Sequence, residues 1–295
     1  MSIASTSPRL SVDPQLVWDL GYELLDLTRS TTHCDVWEVR HRTTYEIFAW
    51  KQLRREWNQD AIARQGLQNE AAVATLLQSP LLPRVISAQL NEPPYYLLYE
   101  WFSGDSFEQV IQEFAPMPMR LALWVTRQCA QGLDDLFKAG LIHGAIQPDN
   151  ILIRENGTIC LTELIHARRL TSQLNVETGR SGFTSSGPLD DYVAIRTLHQ
   201  PPEGLAKDLY GLGLTLYRAL TAHFPYEQVT AAEMVSGESS NPAIELRRLR
   251  PEVSEKAAQL VGDLLSPKPQ HRLKNPSVVV HRLMEIEIEQ LLSVA

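Results

Sequence analysis

Cysteine is scarce in this 295-residue chain, with three, Cys34, Cys129 and Cys160, far apart in sequence. Their odd number and the lack of any Cys-x-x-Cys spacing exclude a disulfide framework and a cysteine-based zinc site. Long apolar runs are missing too: no stretch approaches the ~18–20 residues needed to cross a bilayer, which excludes a membrane-spanning helix. Basic residues are in deficit, 27 Lys and Arg against 35 Asp and Glu, for a formal charge of −8. Nucleic-acid surfaces rely on Lys and Arg neutralising phosphates, so a broad nucleic-acid interface is excluded as well. What remains is an ordinary globular balance, 44% hydrophobic and 21% charged, in a length that allows one large domain or two lobes. These features place the chain in the cytoplasm, with no membrane and no nucleic-acid partner. Residues 1–19, opening on a Ser/Pro-rich stretch, are expected to form a flexible leader.

The hydrophobic pattern divides the chain in two. Tyr22–Leu27, Asp35–Arg40 and Tyr45–Leu53 are rich in β-branched and aromatic residues and read as a three-stranded antiparallel meander. A helix follows at about Asn58–Gln78, in which Leu67, Glu70, Ala71, Ala74 and Leu77 share one face. One carboxylate therefore sits in an apolar stripe. Two further strands, Arg84–Leu90 and Tyr95–Phe102, complete a small β-rich lobe over residues 20–102. Beyond Ser103-Gly104-Asp105 the pattern becomes helical, with faces marked by Leu121, Val125, Cys129, Leu133 and Leu136 and by Leu209, Leu212, Leu216 and Leu220. The second of these runs is apolar on most sides and is expected at the centre of a larger lobe over residues 103–295. Helices over Glu255–Leu265 and Pro276–Leu292 close the chain. The fold class is α+β.

Between the helical runs stands His143-Gly144-Ala145-Ile146-Gln147-Pro148-Asp149-Asn150, followed by Thr162-Glu163-Leu164-Ile165. This resembles the catalytic loop and metal-binding segment of the protein kinases, His-Arg-Asp-Leu-Lys-Pro-x-Asn and then Asp-Phe-Gly. Other segments fall in the family's order. Ala49-Trp50-Lys51 is similar to the strand ending Ala-x-Lys, and Glu70 lies 70 − 51 = 19 residues later in the expected helix. Tyr192-Val193-Ala194, Asp208-Leu209-Tyr210-Gly211-Leu212-Gly213 and Arg272 follow. The likeness runs from about Tyr22 to Leu292. It implies a two-lobed kinase-like fold of bacterial Ser/Thr type, with ATP and Mg²⁺ as the family's cofactors.

Several positions depart from that pattern. The family's catalytic Asp aligns with Ala145 and its neighbouring Lys with Gln147, so a proton acceptor and a positive charge are both missing at one centre. The glycine-rich loop aligns with Arg29-Ser30-Thr31-Thr32-His33-Cys34, where side chains replace the glycines that let backbone N–H groups approach phosphates. Arg29 and His33 are candidate substitutes for those contacts. By the resemblance, Lys51 and Glu70 are the nucleotide-handling pair, and the same pair reads equally as a structural brace. Asn150 keeps the family's metal-ligand side chain, while Glu163 stands at the metal-binding Asp with a longer arm.

Gly144 replaces the Arg that receives an activation-loop phosphate, so phosphorylation at Thr184, Ser185 or Ser186 would lack that receptor. Arg196 replaces the Glu that pairs with the late Arg, setting a like charge toward Arg272. His143, Leu164 and Asp208 keep the family's packing and loop-holding roles. Scaffold residues persist while reaction groups are lost, the pattern of a pseudokinase that acts through a protein partner. Candidate contacts are Arg54, Arg55, Arg247, Arg248 and Arg250 with Trp57 and Trp101. Two enzyme readings stand beside it: residual ATP-dependent protein phosphorylation, and a small-molecule phosphotransferase suggested by His143-Gly144.

Overall fold

The computed structural model describes residues 12–170, 204–225, 245–266 and 271–293. The described chain forms two compact units. One holds residues 12–75 and 84–101, the other residues 76–83 and everything from 102 onward.

The first unit is a five-stranded antiparallel sheet with helices α1 (Pro14–Asp19) and α2 (Ala61–Leu76). Its strands β1 (Tyr22–Ser30), β2 (Cys34–His41), β3 (Ile47–Leu53), β4 (Val85–Gln89) and β5 (Tyr96–Glu100) lie in the order β1-β2-β3-β5-β4. The expected meander is present, and β5 inserts beside β3, making β3 a central strand. Alternation along the strands sorts the side chains. Register sets Val36 opposite Lys51 and Trp37 opposite Trp50, so these two pairs project from opposite faces. Asp60 starts α2 by accepting from the Ala63 N–H at 2.8 Å, and the buried positions of α2 include Leu67, Glu70, Ala71 and Ala74.

The leader expected through residue 19 is corrected from residue 12 on. Asp13 caps α1 by accepting from the Gln15 N–H, and Pro14 fills the first turn, where no N–H is required. Val12 and Val17 are buried with Trp37, Val39, Trp50, Tyr96 and Leu98 in one cluster, on the sheet face away from Lys51. The apolar spacing of this short helix was masked by its Ser/Pro-rich surroundings. A second correction concerns the small lobe expected over residues 20–102: residues 76–83 belong to the second unit, where Ser79 Oγ donates to Asp135 Oδ2 at 2.6 Å and the Leu161 N–H donates to the Leu81 carbonyl at 2.8 Å.

In the second unit, α3 (Phe107–Phe114) begins with a reciprocal capping box between Ser106 and Gln109. Helix α4 (Met119–Lys138) packs against α5 (Leu205–Thr221) and α8 (Pro276–Ser293), and α7 (Glu255–Leu264) packs on α5. A single turn, α6 (Leu246–Leu249), precedes α7. Helix α5 is buried along nearly its whole length, as its all-round apolar sequence implies. Among the described residues, five short strands accompany these helices, one ahead of α3 and four between α4 and α5 in the chain. They are β6 (Asp105–Ser106), β7 (Leu141–Ile142), β8 (Ile151–Ile153), β9 (Ile159–Leu161) and β10 (Arg168–Arg169), in a β6-β8-β9 sheet and a β7-β10 pair. No described helix is long and apolar enough to cross a membrane.

Candidate functional site

The candidate site residues fall into two groups, one in each unit. In the first unit, Lys51 lies on central strand β3 and Glu70 on the buried face of α2. Their side chains meet, with Lys51 Nζ donating to Glu70 Oε2 at 2.8 Å and 4% and 2% of the side chains exposed. The ion pair anticipated from a carboxylate inside an apolar stripe is thus formed. A buried charge of this kind is tolerated only with a partner.

The hairpin joining β1 to β2 is tightly closed. Thr31 donates its backbone N–H to the Cys34 carbonyl at 2.8 Å, and its Oγ1 accepts from the Cys34 N–H at 3.0 Å. Two backbone donors at the tip are therefore committed inside the hairpin. His33, a candidate phosphate contact, instead packs its ring 4.3 Å from that of Trp57 and is 8% exposed. Cys34 is buried at the start of β2.

The hairpin is also tied to the end of β3. Ser30 donates its hydroxyl to Asp35 Oδ1, and Arg54 reaches both, donating Nε to Asp35 Oδ1 at 3.0 Å and Nη2 to Ser30 Oγ. Asp35 shares its parity with Trp37, so this cluster lies on the face away from Lys51. The sequence places Ser30 among the residues aligned with the glycine-rich loop and offers Arg54 as a candidate basic contact, but gives no sign that the two meet at Asp35. The only available signal was an acidic residue beside the turn and an Arg 54 − 35 = 19 residues later, too distant to pair without knowing the register.

In the second unit the segment 143–150 is held by its backbone. Asp208, at the start of α5, accepts from the N–H groups of His143 and Gly144, both at 2.8 Å. Helix α5 approaches closely because residue 211 is glycine, where a Cβ would lie 2.4 Å from the Ile146 carbonyl oxygen. Gly144 has φ +82, and a Cβ there would come within 2.6 Å of the His166 oxygen. Asn150 Nδ2 donates to the Ala145 carbonyl at 2.8 Å, and the Asn150 carbonyl accepts from the Thr162 N–H at 2.8 Å. These bonds join the loop to the segment carrying Glu163. Glu163 sits in the left-handed region, φ 66 and ψ 42, ahead of a 3₁₀ turn over Leu164–His166. A side chain held there costs about 1–3 kcal/mol and persists only where the surroundings enforce it.

Burial pushes the His143 imidazole down to about 4, so the ring is neutral at pH 7. Burial pushes Asp208 up to about 6, opposed by the two N–H groups that favour its carboxylate. Ala145 presents only a methyl group, and Gln147 is buried beside the turn Pro148–Asn150. Among the described residues, no three His, Cys, Asp or Glu side chains gather as a metal site.

The family model for the protein kinase domain matches residues 31–284. The chain belongs to this family. Among its relatives are a probable serine/threonine-protein kinase of Clostridium perfringens, 23% identical over 272 residues, covering 90% of this chain and 38% of the relative. Serine/threonine-protein kinase PknH of Mycobacterium tuberculosis is 24% identical over 238 residues, covering 81% of this chain and 37% of the relative. AfsK of Streptomyces griseus is 26% identical over 191 residues, 63% of this chain and 23% of the relative. The chain thus spans less than two fifths of the length of these relatives. As a kinase domain, it has an antiparallel-sheet portion and a helical portion, the α+β class expected from the pattern.

The kinase family's cofactors are ATP and Mg²⁺. The hairpin fits a triphosphate poorly, because the Thr31 and Cys34 N–H groups are bonded within it. Lys51 and Glu70 are brought together, and so are the segments carrying Asn150 and Glu163. Arg272 is buried, donates to the Ser266 carbonyl at 2.7 Å and lies over the Tyr210 ring. The readings on Thr184, Ser185, Ser186, Tyr192–Ala194 and Arg196 lie outside the described residues. Arg250 donates to Glu252 and to the Leu220 carbonyl.

Proposed function

We propose that this kinase domain is a pseudokinase: it holds a kinase-like conformation and acts on a protein partner without efficient phosphotransfer. One observation carries the reading. The loop backbone is fastened by Asp208 and Asn150 on both sides of residue 145, yet that position bears a methyl group. An aligned general base contributes ~10²–10⁴ in rate, and Ala145 can accept no proton. Gln147 supplies no charge to a transferring phosphoryl group, a second loss at the same centre. The closed hairpin adds a third, since phosphate binding would have to break its internal bonds. ATP and Mg²⁺ are accordingly weak ligands or none, and the protein works in the cytoplasm by contact.

A second reading, an ATP-binding Ser/Thr kinase with residual transfer, is favoured by the formed Lys51–Glu70 pair and by the backbone that carries Glu163. Thermal unfolding with ATP, with and without Mg²⁺, separates the two when run beside a γ-phosphate transfer assay. A ligand at ~100 times its Kd stabilises by ~2.7 kcal/mol, a shift easily read. The pseudokinase reading expects little or no shift and no transfer. It also expects Ala145→Asp with Gln147→Lys to remain inactive, because the hairpin is unchanged. Transfer by the parent chain that disappears in Lys51→Ala would overturn it.

A further inference from the structure

We propose that Ser30 is a phosphorylation site and that Arg54 is the built-in receptor for its phosphate. Ser30 ends β1, an edge strand, at the tip of the hairpin, and is solvent-exposed. The ladder near it is irregular, with register shifts between Leu24 and Leu27 and between Leu27 and Arg29. An edge strand with broken register separates from its neighbour more readily than a central one, and a protein kinase needs an extended acceptor segment. The hydroxyl is already in contact with the group a phosphate would seek: Arg54 Nη2 donates to Ser30 Oγ, while Arg54 Nε donates to Asp35.

The cluster is bistable on electrostatic grounds. In the unmodified protein the guanidinium is shared by a neutral hydroxyl and a carboxylate, and Ser30 bridges to Asp35 through its own O–H. Phosphorylation forms a bond between Ser30 Oγ and the γ-phosphorus of ATP and breaks the bond from that phosphorus to the bridging oxygen. ADP leaves, and the hydroxyl proton passes to the base of an active Ser/Thr kinase acting in trans. The product removes the Ser30 donor from Asp35 and sets a phosphate of charge about −2 beside a carboxylate only 6% exposed. Arg54 then has a stronger, bidentate partner in the phosphate than in Asp35. The hairpin loses its tie to Asp35, and its tip opens on the face away from Lys51. The argument is independent of whether this domain itself transfers phosphate.

The test is to incubate the full chain with ATP and an active bacterial Ser/Thr kinase domain, map phosphate by mass spectrometry, and follow amide hydrogen exchange. Phosphate is expected on Ser30 in the parent chain, and in Ser30→Ala no neighbouring hydroxyl is expected to take it up instead. Exchange at the Thr31 and Cys34 amides is expected to quicken at least tenfold. Unmodified Arg54→Ala, which removes the guanidinium bonds to Ser30 and Asp35 and leaves the Ser30–Asp35 bond, is expected to show part of that increase. Phosphate absent from Ser30, whether or not other hydroxyls are labelled, overturns the site. A Ser30 phosphate that leaves exchange at the tip unchanged overturns the opening of the hairpin, and one whose effect on exchange is the same in Arg54→Ala overturns Arg54 as its receptor. Circular dichroism of Ser30→Ala and Arg54→Ala confirms folding; should either fail to fold, Ser30→Asn and Arg54→Lys take their place.

Discussion

Removing Lys51 alone should cost far more stability than removing Lys51 and Glu70 together. At 2.8 Å and an effective dielectric of about 20, the pair attracts by about 6 kcal/mol, most of which is offset by the cost of taking both charges out of water. Lys51→Met keeps the length of the side chain and deletes the charge. It leaves a glutamate only 2% exposed facing an apolar thioether. The expected loss is about 3–5 kcal/mol, a large part of the ~5–15 kcal/mol that holds a typical domain. Lys51→Met with Glu70→Leu removes both charges, fills the space with apolar atoms and should recover most of that loss. Urea unfolding of the four proteins, followed by circular dichroism without nucleotide, closes a double-mutant cycle. A Lys51→Met loss below about 1 kcal/mol, or a double variant no better than the single one, would refute the buried-pair argument. The outcome also bears on function, since a pair that stabilises without ATP is a brace in its own right.

Three other predictions rest on different parts of the molecule. Between pH 6.5 and 4 the depressed His143 takes up fewer protons folded than unfolded, so its contribution falls as pH drops; the raised Asp208 takes up more between about 6 and 3.8, so its contribution rises. The two offset one another in the parent chain, and Asp208→Asn should leave an acid-side loss of about 3 kcal/mol from His143 alone, read by urea unfolding at pH 7 and pH 4; an unchanged pH slope would contradict the opposed shifts. Gly211→Ala places a Cβ 2.4 Å from the Ile146 backbone oxygen and should cost at least 1–3 kcal/mol, whereas Gly262→Ala, where a Cβ meets nothing within 4 Å, should be neutral or stabilising. Val17→Asp should detach α1 from the sheet and lower the unfolding free energy by about 2–4 kcal/mol, read by urea unfolding, and a value within experimental error of the parent would show that α1 contributes little.

Most of the architecture was legible because it follows from local periodicity. The alternating β-branched residues gave β1–β3, the one-sided stripe gave α2, and the all-round apolar run gave buried α5. Glu70 was legible for a related reason, since a carboxylate in an apolar stripe demands a partner. Helix α1 was hidden by its brevity and its polar neighbours, and the attachment of residues 76–83 by its dependence on Asp135 and Leu161, far away in sequence. The Ser30–Asp35–Arg54 cluster needed the strand register. Glu163 was legible as a residue type, but its left-handed backbone was not, because enforcement of that conformation comes from surroundings brought together only by folding.

The cluster beneath α1 also gives the protein an intrinsic optical probe. Of its six tryptophans, Trp37 and Trp50 are the buried ones among the described residues, and Trp50 stacks on Tyr96 at 3.8 Å between ring centroids. Their emission should be blue-shifted beside that of the half-exposed Trp18 and Trp124. Any ligand or partner that lifts α1 would wet this aromatic stack and move the emission red, without a label and without touching the face that carries Lys51.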